Sequence, residues 1–309
     1  MNQATMTVRP DKQSDFKFGE HSFRWNDEIV ELHDSSPDFQ NTALLHERMR
    51  EDGYLFIRGF HPRDKANRAA NSVLTTIGER GGLEPGTDIS DGIIGPENRN
   101  YSFFREIKVA HAPEVLDAID GAHSRDFYAR FLGGPSLTFD KRWLRAMGRG
   151  GHNHFHYDNV YVGRGTRNRY TMWTALTDIP LDNGPLVLAL GSHRARRLIE
   201  TYGNTDTDRD LSDPVLSTNP REIVSHFGFK LATAHFHPGD CLIFGMFMLH
   251  SSAPNLRNRY RISVDTRHQL ASDEKDERFF GADGKWLGNG YNVGAKLRPM
   301  SELRAEWKI

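Results

Sequence analysis

Apolar residues recur along this chain in two rhythms, and the rhythm changes near residue 136. Ahead of that point the spacing is helical. Residues 42–53 (TALLHERMREDG) carry Leu44, Leu45 and Met49 on one side, which predicts a helix with Gly53 as its C-cap. Residues 54–60 then read as a short buried strand, 63–80 as a second helix stopped by Gly81-Gly82, and 112–132 as a third ended by Gly133-Gly134-Pro135. Residues 1–40 are polar and mixed and predict no element. Beyond 136 the pattern is β-rich, with strands expected near 136–147, 152–162, 168–178, 185–190, 233–237, 240–248 and 260–270. Many short strands parted by turn signals such as Asn183-Gly184-Pro185 predict a sandwich or barrel. Helices in the first half and strands in the second predict a mainly β protein with flanking helices.

Three polar stretches interrupt this plan. Residues 82–101 are rich in Gly, Pro, Asp and Asn, and a loop of that length in a compact fold reads either as a mobile lid or as a surface excursion. Residues 201–222 hold Asp206-x-Asp208-x-Asp210, which invites a calcium loop. The sixth place, however, holds Leu211 instead of glycine and the twelfth holds Ser217 instead of glutamate, so the stretch is expected to be a solvated loop. Arg194, Arg196 and Arg197 form a basic run, read as a solvated helix face with contact to an acidic substrate as the alternative. From Asp273 onward, Gly281, Gly284, Gly288, Gly290 and Gly294 suggest an irregular tail wrapping the β core.

Composition narrows the class. A length of 309 residues and a formal charge of −1 leave room for a large core and give no electrostatic footprint for nucleic acid or an anionic membrane. The sole cysteine, Cys241, sits in an apolar run and reads as a core residue, so no disulfide framework forms within the chain. The opening residues lack an apolar signal region, and no apolar run approaches membrane-spanning length. The expectation is a cytoplasmic protein acting on a small molecule, without nucleic acid or membrane as partner. No feature of the sequence sets the oligomeric state.

The chemistry centres on Gly151-His152-Asn153-His154-Phe155-His156-Tyr157-Asp158. On a strand, alternate side chains share a face, so His152, His154, His156 and Asp158 would point one way. Two imidazoles and one carboxylate on one face of an ion form the facial triad of non-haem Fe(II) oxygenases. With fifteen histidines in the chain a chance His-x-Asp is common, so the motif gains weight only from its company. His156 and Asp158 supply two ligands, and His250, following the apolar run 241–249, is the candidate third.

That company is ordered. Trp173, Asp182-Asn183-Gly184-Pro185, Gly191-Ser192-His193, His237-Pro238-Gly239-Asp240, Leu249-His250-Ser251-Ser252 and Arg261, eleven residues after His250, follow in turn. The set resembles the phytanoyl-CoA dioxygenase family of Fe(II)- and 2-oxoglutarate-dependent oxygenases, weakly over 42–60 and strongly over 140–270. The resemblance implies a double-stranded β-helix, a jelly-roll, cupin-like barrel, filling one domain over 1–309. It divides into a helical part at 42–135, a barrel core at 136–270 and a C-terminal wrap at 271–309. It implies His156, Asp158 and His250 as iron ligands, Arg261 as partner of the distal carboxylate of 2-oxoglutarate, Ser252 as the hydroxyl beside it, and Trp173 as an aromatic wall. It also implies O2 as oxidant, hydroxylation of an unactivated C–H, and release of succinate and CO2. Asp158 argues against a halogenase, because related halogenases lack this carboxylate. One departure is Leu190, where the family often has proline before Gly-Ser-His. His152 and His154 are extra histidines whose role the sequence leaves open.

Two alternatives stand beside this reading. A cupin metalloenzyme without 2-oxoglutarate would use His154-x-His156, but Val160 and Tyr161 stand where its glutamate belongs, and His250 lies eleven residues beyond Gly239. A non-catalytic binding barrel is the other. Arg257, Arg259 and Arg261 alternate and could share a face on a regular strand; the resemblance selects Arg261 as the inward one, with Arg257 expected in a turn and Arg259 at the rim.

Overall fold

The structure is a computed structural model and describes residues 15–280, except 103 and 105, together with 296–309. Twelve strands are formed by the described residues: β1 (Phe16–Phe18), β2 (His21–Phe23), β3 (Ile29–Glu31), β4 (Tyr54–Ile57), β5 (Ser136–Thr138), β6 (Trp143–Met147), β7 (Arg169–Ala175), β8 (Leu186–Leu190), β9 (Lys230–Thr233), β10 (Cys241–Gly245), β11 (His250–Ser252) and β12 (Arg261–Leu270). β1 and β2 pair with each other. The larger sheet runs β4-β10-β7-β12, with β5 and β6 both on the far side of β12; a second sheet runs β11-β8-β9-β3.

Strand alternation explains why the two sheets face each other. On β4, β7 and β10, the side chains of Tyr54, Phe56, Trp173, Ala175, Leu242 and Phe244 meet Leu186, Leu188 and Ala232 of the second sheet. Their neighbours Leu55, Ile57, Met172, Cys241 and Ile243 point the other way, onto Leu45, Phe127, Tyr128 and Phe131 of the helices Thr42–Glu51 and Ala122–Leu132. With both faces covered, these strands read as continuous apolar runs instead of alternating ones. The helix Arg63–Glu79 covers β6 and β12 through Val73, Leu74 and Ile77 against Leu144, Ile262 and Val264. The outer face of the second sheet is covered by Phe16, Phe18, Leu198, Tyr202 and, from the C-terminal helix Met300–Trp307, Leu303. This is a jelly-roll sandwich with helices outside. No helix of the described residues is long and apolar enough to cross a membrane.

Several expectations need correction. The helix expected over 112–132 is two, Pro113–Ile119 and Ala122–Leu132, because Asp120 caps the first and Gly121, a poor helix former, opens the second. The strand expected over 136–147 breaks between β5 and β6, which pair with separate stretches of β12. Over 152–162 no strand forms: Phe155 and His156 make single β-bridges, and a helical turn follows at Asn159–Val162. The strand expected at 233–237 is β9, three residues earlier, and β11 was not foreseen.

The 82–101 segment is pinned: Ile94 is buried and donates its N–H to Asn258, Gly92 accepts from Tyr260, and Tyr101 pairs with Ala146. The 201–222 segment is not a solvated loop, since Tyr202 and Leu216 lie in the core and Asp206 is buried. Asp206 caps the turn Thr207–Asp210 and pairs with Arg164, while Arg278 pairs with Asp208, so these aspartates are spent on caps and guanidinium groups. Arg194, Arg196 and Arg197 are exposed; Arg196 pairs with Glu200, and Arg197 donates to the Trp307 and Lys308 carbonyls at the end of the C-terminal helix. The tail glycines Gly281, Gly284, Gly288, Gly290 and Gly294 lie outside the described residues.

One turn sets where β10 begins. Gly239 has φ +92°, and a Cβ there would run into the His61 carbonyl. The next residue, Asp240, is buried; its carboxylate accepts from Arg58 Nη1 at 3.0 Å and from the Gly59 N–H at 2.8 Å. Gly239→Ala is expected to destabilise the fold by about 1–3 kcal/mol, measured by urea unfolding. A loss within experimental error would show that this turn does not constrain β10.

Candidate active site

The three expected ligands converge between the two sheets, though by a different local route than a regular strand. His156 and His250 are directly opposed in an antiparallel bridge, each N–H donating to the other's carbonyl at 3.0 and 3.1 Å. Directly opposed residues present their side chains to the same face, and the two rings lie 4.3 Å apart. Asp158 is not the next residue along an extended chain. It has helical backbone angles at the start of the turn Asn159–Val162, which swings its carboxylate back toward the rings. Oδ1 lies 3.7 Å from His156 Nε2 and 3.9 Å from His250 Nε2. The three potential ligand atoms all lie within 4.8 Å of one another.

The hydrogen bonds leave the correct atoms free. His156 Nδ1 contacts the His154 carbonyl at 2.7 Å and His250 Nδ1 the Met248 carbonyl at 2.8 Å, so each Nδ1 carries the proton and each Nε2 lone pair faces Asp158. Burial pulls the His250 imidazole down to about 4, which keeps it neutral and able to ligate at ordinary pH. Burial acts to raise the Asp158 carboxyl, but Arg267, His250 and His156 together outweigh it and hold the group well below the usual carboxylate range. Its outer oxygen, Oδ2, accepts from Arg267 Nη2 at 3.0 Å and from the Thr171 hydroxyl. The donor set, two imidazole nitrogens and one ionised carboxylate, therefore fits an Fe(II) ion with coordination positions to spare.

Two cavities adjoin the triad. The outer one, about 230 Å³, is lined by Trp143, Tyr161 and Val215 on the apolar side and by Arg145, Arg267, His152 and His154 on the polar side. His152 and His154, which the sequence left open, thus line this cavity beside His156. The inner one, about 10 Å³, has His156, His250, Trp173 and Arg261 among its lining residues. Arg261 is 1 % exposed. Its Nε donates to the Gly184 carbonyl and its Nη1 to Ser263 Oγ, both near 3 Å, and its guanidinium lies over the Trp173 ring. Among the described residues no carboxylate forms an ion pair with it, and burial pulls it down to about 9. Arg257 and Arg259 are exposed and pair with Asp182 and Asp91. Ser252 lines neither cavity. Its Oγ accepts the Asn153 N–H at 3.0 Å, and the hydroxyl beside Arg261 is that of Ser263. No residue of 82–101 is among those lining either cavity.

Residues 49–263 match the model of the phytanoyl-CoA dioxygenase family. The chain belongs to that family. Membership makes the protein an Fe(II)- and 2-oxoglutarate-dependent dioxygenase. A 1-deoxypentalenic acid 11-beta-hydroxylase from Streptomyces arenae is 24% identical over 261 residues, covering 81% of this chain and 88% of that protein. Among solved structures, the non-heme alpha-ketoglutarate-dependent epimerase SnoN of nogalamycin biosynthesis is similar at a TM-score of 0.54 with 15% identity, covering 84% of this chain and 95% of its own. EctD from S. alaskensis, in a structure with 2-oxoglutarate and 5-hydroxyectoine, is similar at 0.52 with 18% identity, covering 83% and 87%.

Four functional positions escaped the motif reading: Thr171, Arg145, Asp265 and Arg267. A signal for two of them existed. Arg261-x-Ser263-x-Asp265-x-Arg267 repeats polar residues every second position on a strand that is otherwise buried, which marks one face as the lining of a site. Removing a partner of the outer carboxylate oxygen is expected to loosen Asp158. Thr171→Val and Arg267→Gln should each weaken Fe(II) binding by roughly 10- to 100-fold in anaerobic titration. Iron affinity unchanged in both variants would mean that Asp158 is positioned by its backbone alone.

Proposed function

We propose that His156, Asp158 and His250 hold the iron of this hydroxylase and that Arg261 anchors 2-oxoglutarate beside it. The observation that carries the proposal is the inner cavity, whose lining brings together two of the proposed metal-ligand residues and a buried guanidinium without a carboxylate ion-pair partner among the described residues. A buried charge lacking a counter-ion is costly, so an anion supplied from outside is the natural occupant. The fork of Arg261 takes a carboxylate, and Trp173 and the Gly184 carbonyl fix the fork's orientation. Iron bound with 2-oxoglutarate and O2 supplies the oxidising chemistry, with succinate and CO2 as co-products. The protein's part is orientation and exclusion of water. Phe244 packs against His250 and Tyr161 against His156, shielding both imidazoles. Arg145 lines both cavities and is ion-paired with Asp265 at 3.1 Å; because the inner space is small, side chains at this border shift as the co-substrate enters.

The outer cavity is the proposed substrate site. Its size suits a small molecule rather than a whole coenzyme A thioester. An apolar wall of Trp143, Tyr161 and Val215 faces two arginines and two histidines, and Arg267 has buried Nε and Nη1 donors without hydrogen-bond partners. This suits a compact apolar body bearing an acidic group; the Streptomyces arenae relative is likewise named for hydroxylating an acid. We place 1–309 in one working domain. The near-neutral charge and single buried cysteine support a cytoplasmic setting with neither nucleic acid nor membrane as partner.

Substrate-stimulated succinate release is the test. Alanine at His156, Asp158 or His250 should abolish Fe(II)-dependent release. Arg261→Gln should raise the 2-oxoglutarate KM by roughly 30-fold or more, and exposed Arg259→Gln by less than about fivefold. Damage confined to Arg259→Gln would refute the anchor. Small apolar carboxylic acids should stimulate release at least about tenfold better than their methyl esters; equal stimulation would refute an acidic substrate.

A further inference from the structure

On the surface, Asp178, His235 and His237 form a second group with the same donor set as the triad. The antiparallel bridge Ile179–Phe236 builds it, with N–H to carbonyl distances of 2.8 and 3.1 Å. Ile179 and Phe236 are fully buried, so their neighbours across the bridge point to solvent. His235 Nε2 lies 3.1 Å and His237 Nδ1 2.8 Å from the same oxygen, Asp178 Oδ1, and the two rings are 4.4 Å apart. The backbone beneath them is fixed. Arg58 Nη1 donates to the His235 carbonyl at 2.6 Å, and the His237 N–H donates to Asp240 Oδ2 at 2.9 Å.

We propose that Asp178, His235 and His237 bind a divalent ion of the zinc class. Two imidazole nitrogens and one carboxylate oxygen within 4.8 Å are the ligands such ions take, and the histidines on either side of a buried residue hold their spacing without the ion. The ion takes the near nitrogens, His235 Nε2 and His237 Nδ1, in place of their contacts with Oδ1, and each neutral imidazole then carries its single proton on the far nitrogen. The side chains are 52, 26 and 42 % exposed, which leaves outward positions for water. For equal ligands, zinc, nickel and copper bind more tightly than Fe(II), so this site fills with those ions before iron. It is independent of the inner triad, which shares none of its residues.

Equilibrium dialysis of the full chain against zinc, with metal content read by atomic emission, tests this. The wild-type chain should retain two zinc ions, one per cluster. His237→Ala should retain one, and the double variant His156→Ala/His250→Ala should also retain one. Asp178→Asn should weaken the surface ion by about tenfold or more. In the double variant zinc should also raise the Tm, and adding His237→Ala should abolish that rise. Wild-type zinc content in His237→Ala, or a rise in Tm that survives it, would overturn the proposal.

Discussion

Asp158 is a buried carboxylate, and a charge taken out of water must be met by other charges and donors. Arg267 and Thr171 meet one of its oxygens, and the other is turned to two imidazoles. Much of the surrounding structure follows from keeping this arrangement. Arg267 comes from β12 and Thr171 from β7, both in the larger sheet, whereas His250 comes from β11 in the smaller one. The carboxylate is therefore where the two sheets are tied together by polar contacts, with apolar packing of Trp173, Leu186 and Phe244 nearby. Neither sheet assembles the site alone.

The inner and outer cavities divide the work. Donors in the inner one are fixed by packing and by backbone carbonyls, as befits groups proposed to hold a small, constant co-substrate. The outer one mixes an aromatic wall with cationic and imidazole groups drawn from β6, β12 and the irregular 152–154 stretch, and of these Arg267 also braces Asp158. Arg145 lines both and is held at their border by its ion pair with Asp265.

Much of this was legible in the sequence. The helices at the start and the runs that became β4, β7, β8, β10 and β12 were readable because they rest on local periodicity, and the three residues proposed as ligands, picked out by an ordered spacing, do come together. Alternation alone would give Arg259 and Arg261 one face; their opposite exposures follow from where the turn ends, since β12 begins at Arg261 and Arg259 lies before it. What the sequence hid depends on tertiary partners. Residues 152–162 look like a strand because alternating histidines mimic β periodicity, yet only Phe155 and His156 find partners. Residues 201–222 look solvated because their aspartates are numerous, but Arg164 and Arg278, distant in sequence, bury them. Ser252 sits three residues from Asn255 in a stretch of small polar residues, and nothing local says that its hydroxyl serves Asn153 instead of Arg261.

The alternation of β12 has an evolutionary side. Arg261, Ser263, Asp265 and Arg267 point inward while Ile262 and Val264 point into the helix-covered core. Deleting or inserting one residue in this strand would exchange the two faces, moving guanidinium groups into the apolar core and aliphatic groups into the active cavity. The turn before β12 can therefore change in length without exchanging the faces, whereas the number of residues between Arg261 and Arg267 cannot. Arg261 and Arg267 are further held in kind by the groups they meet, so changes of specificity would come by substitution at the other positions lining the outer cavity, such as Trp143 and Val215.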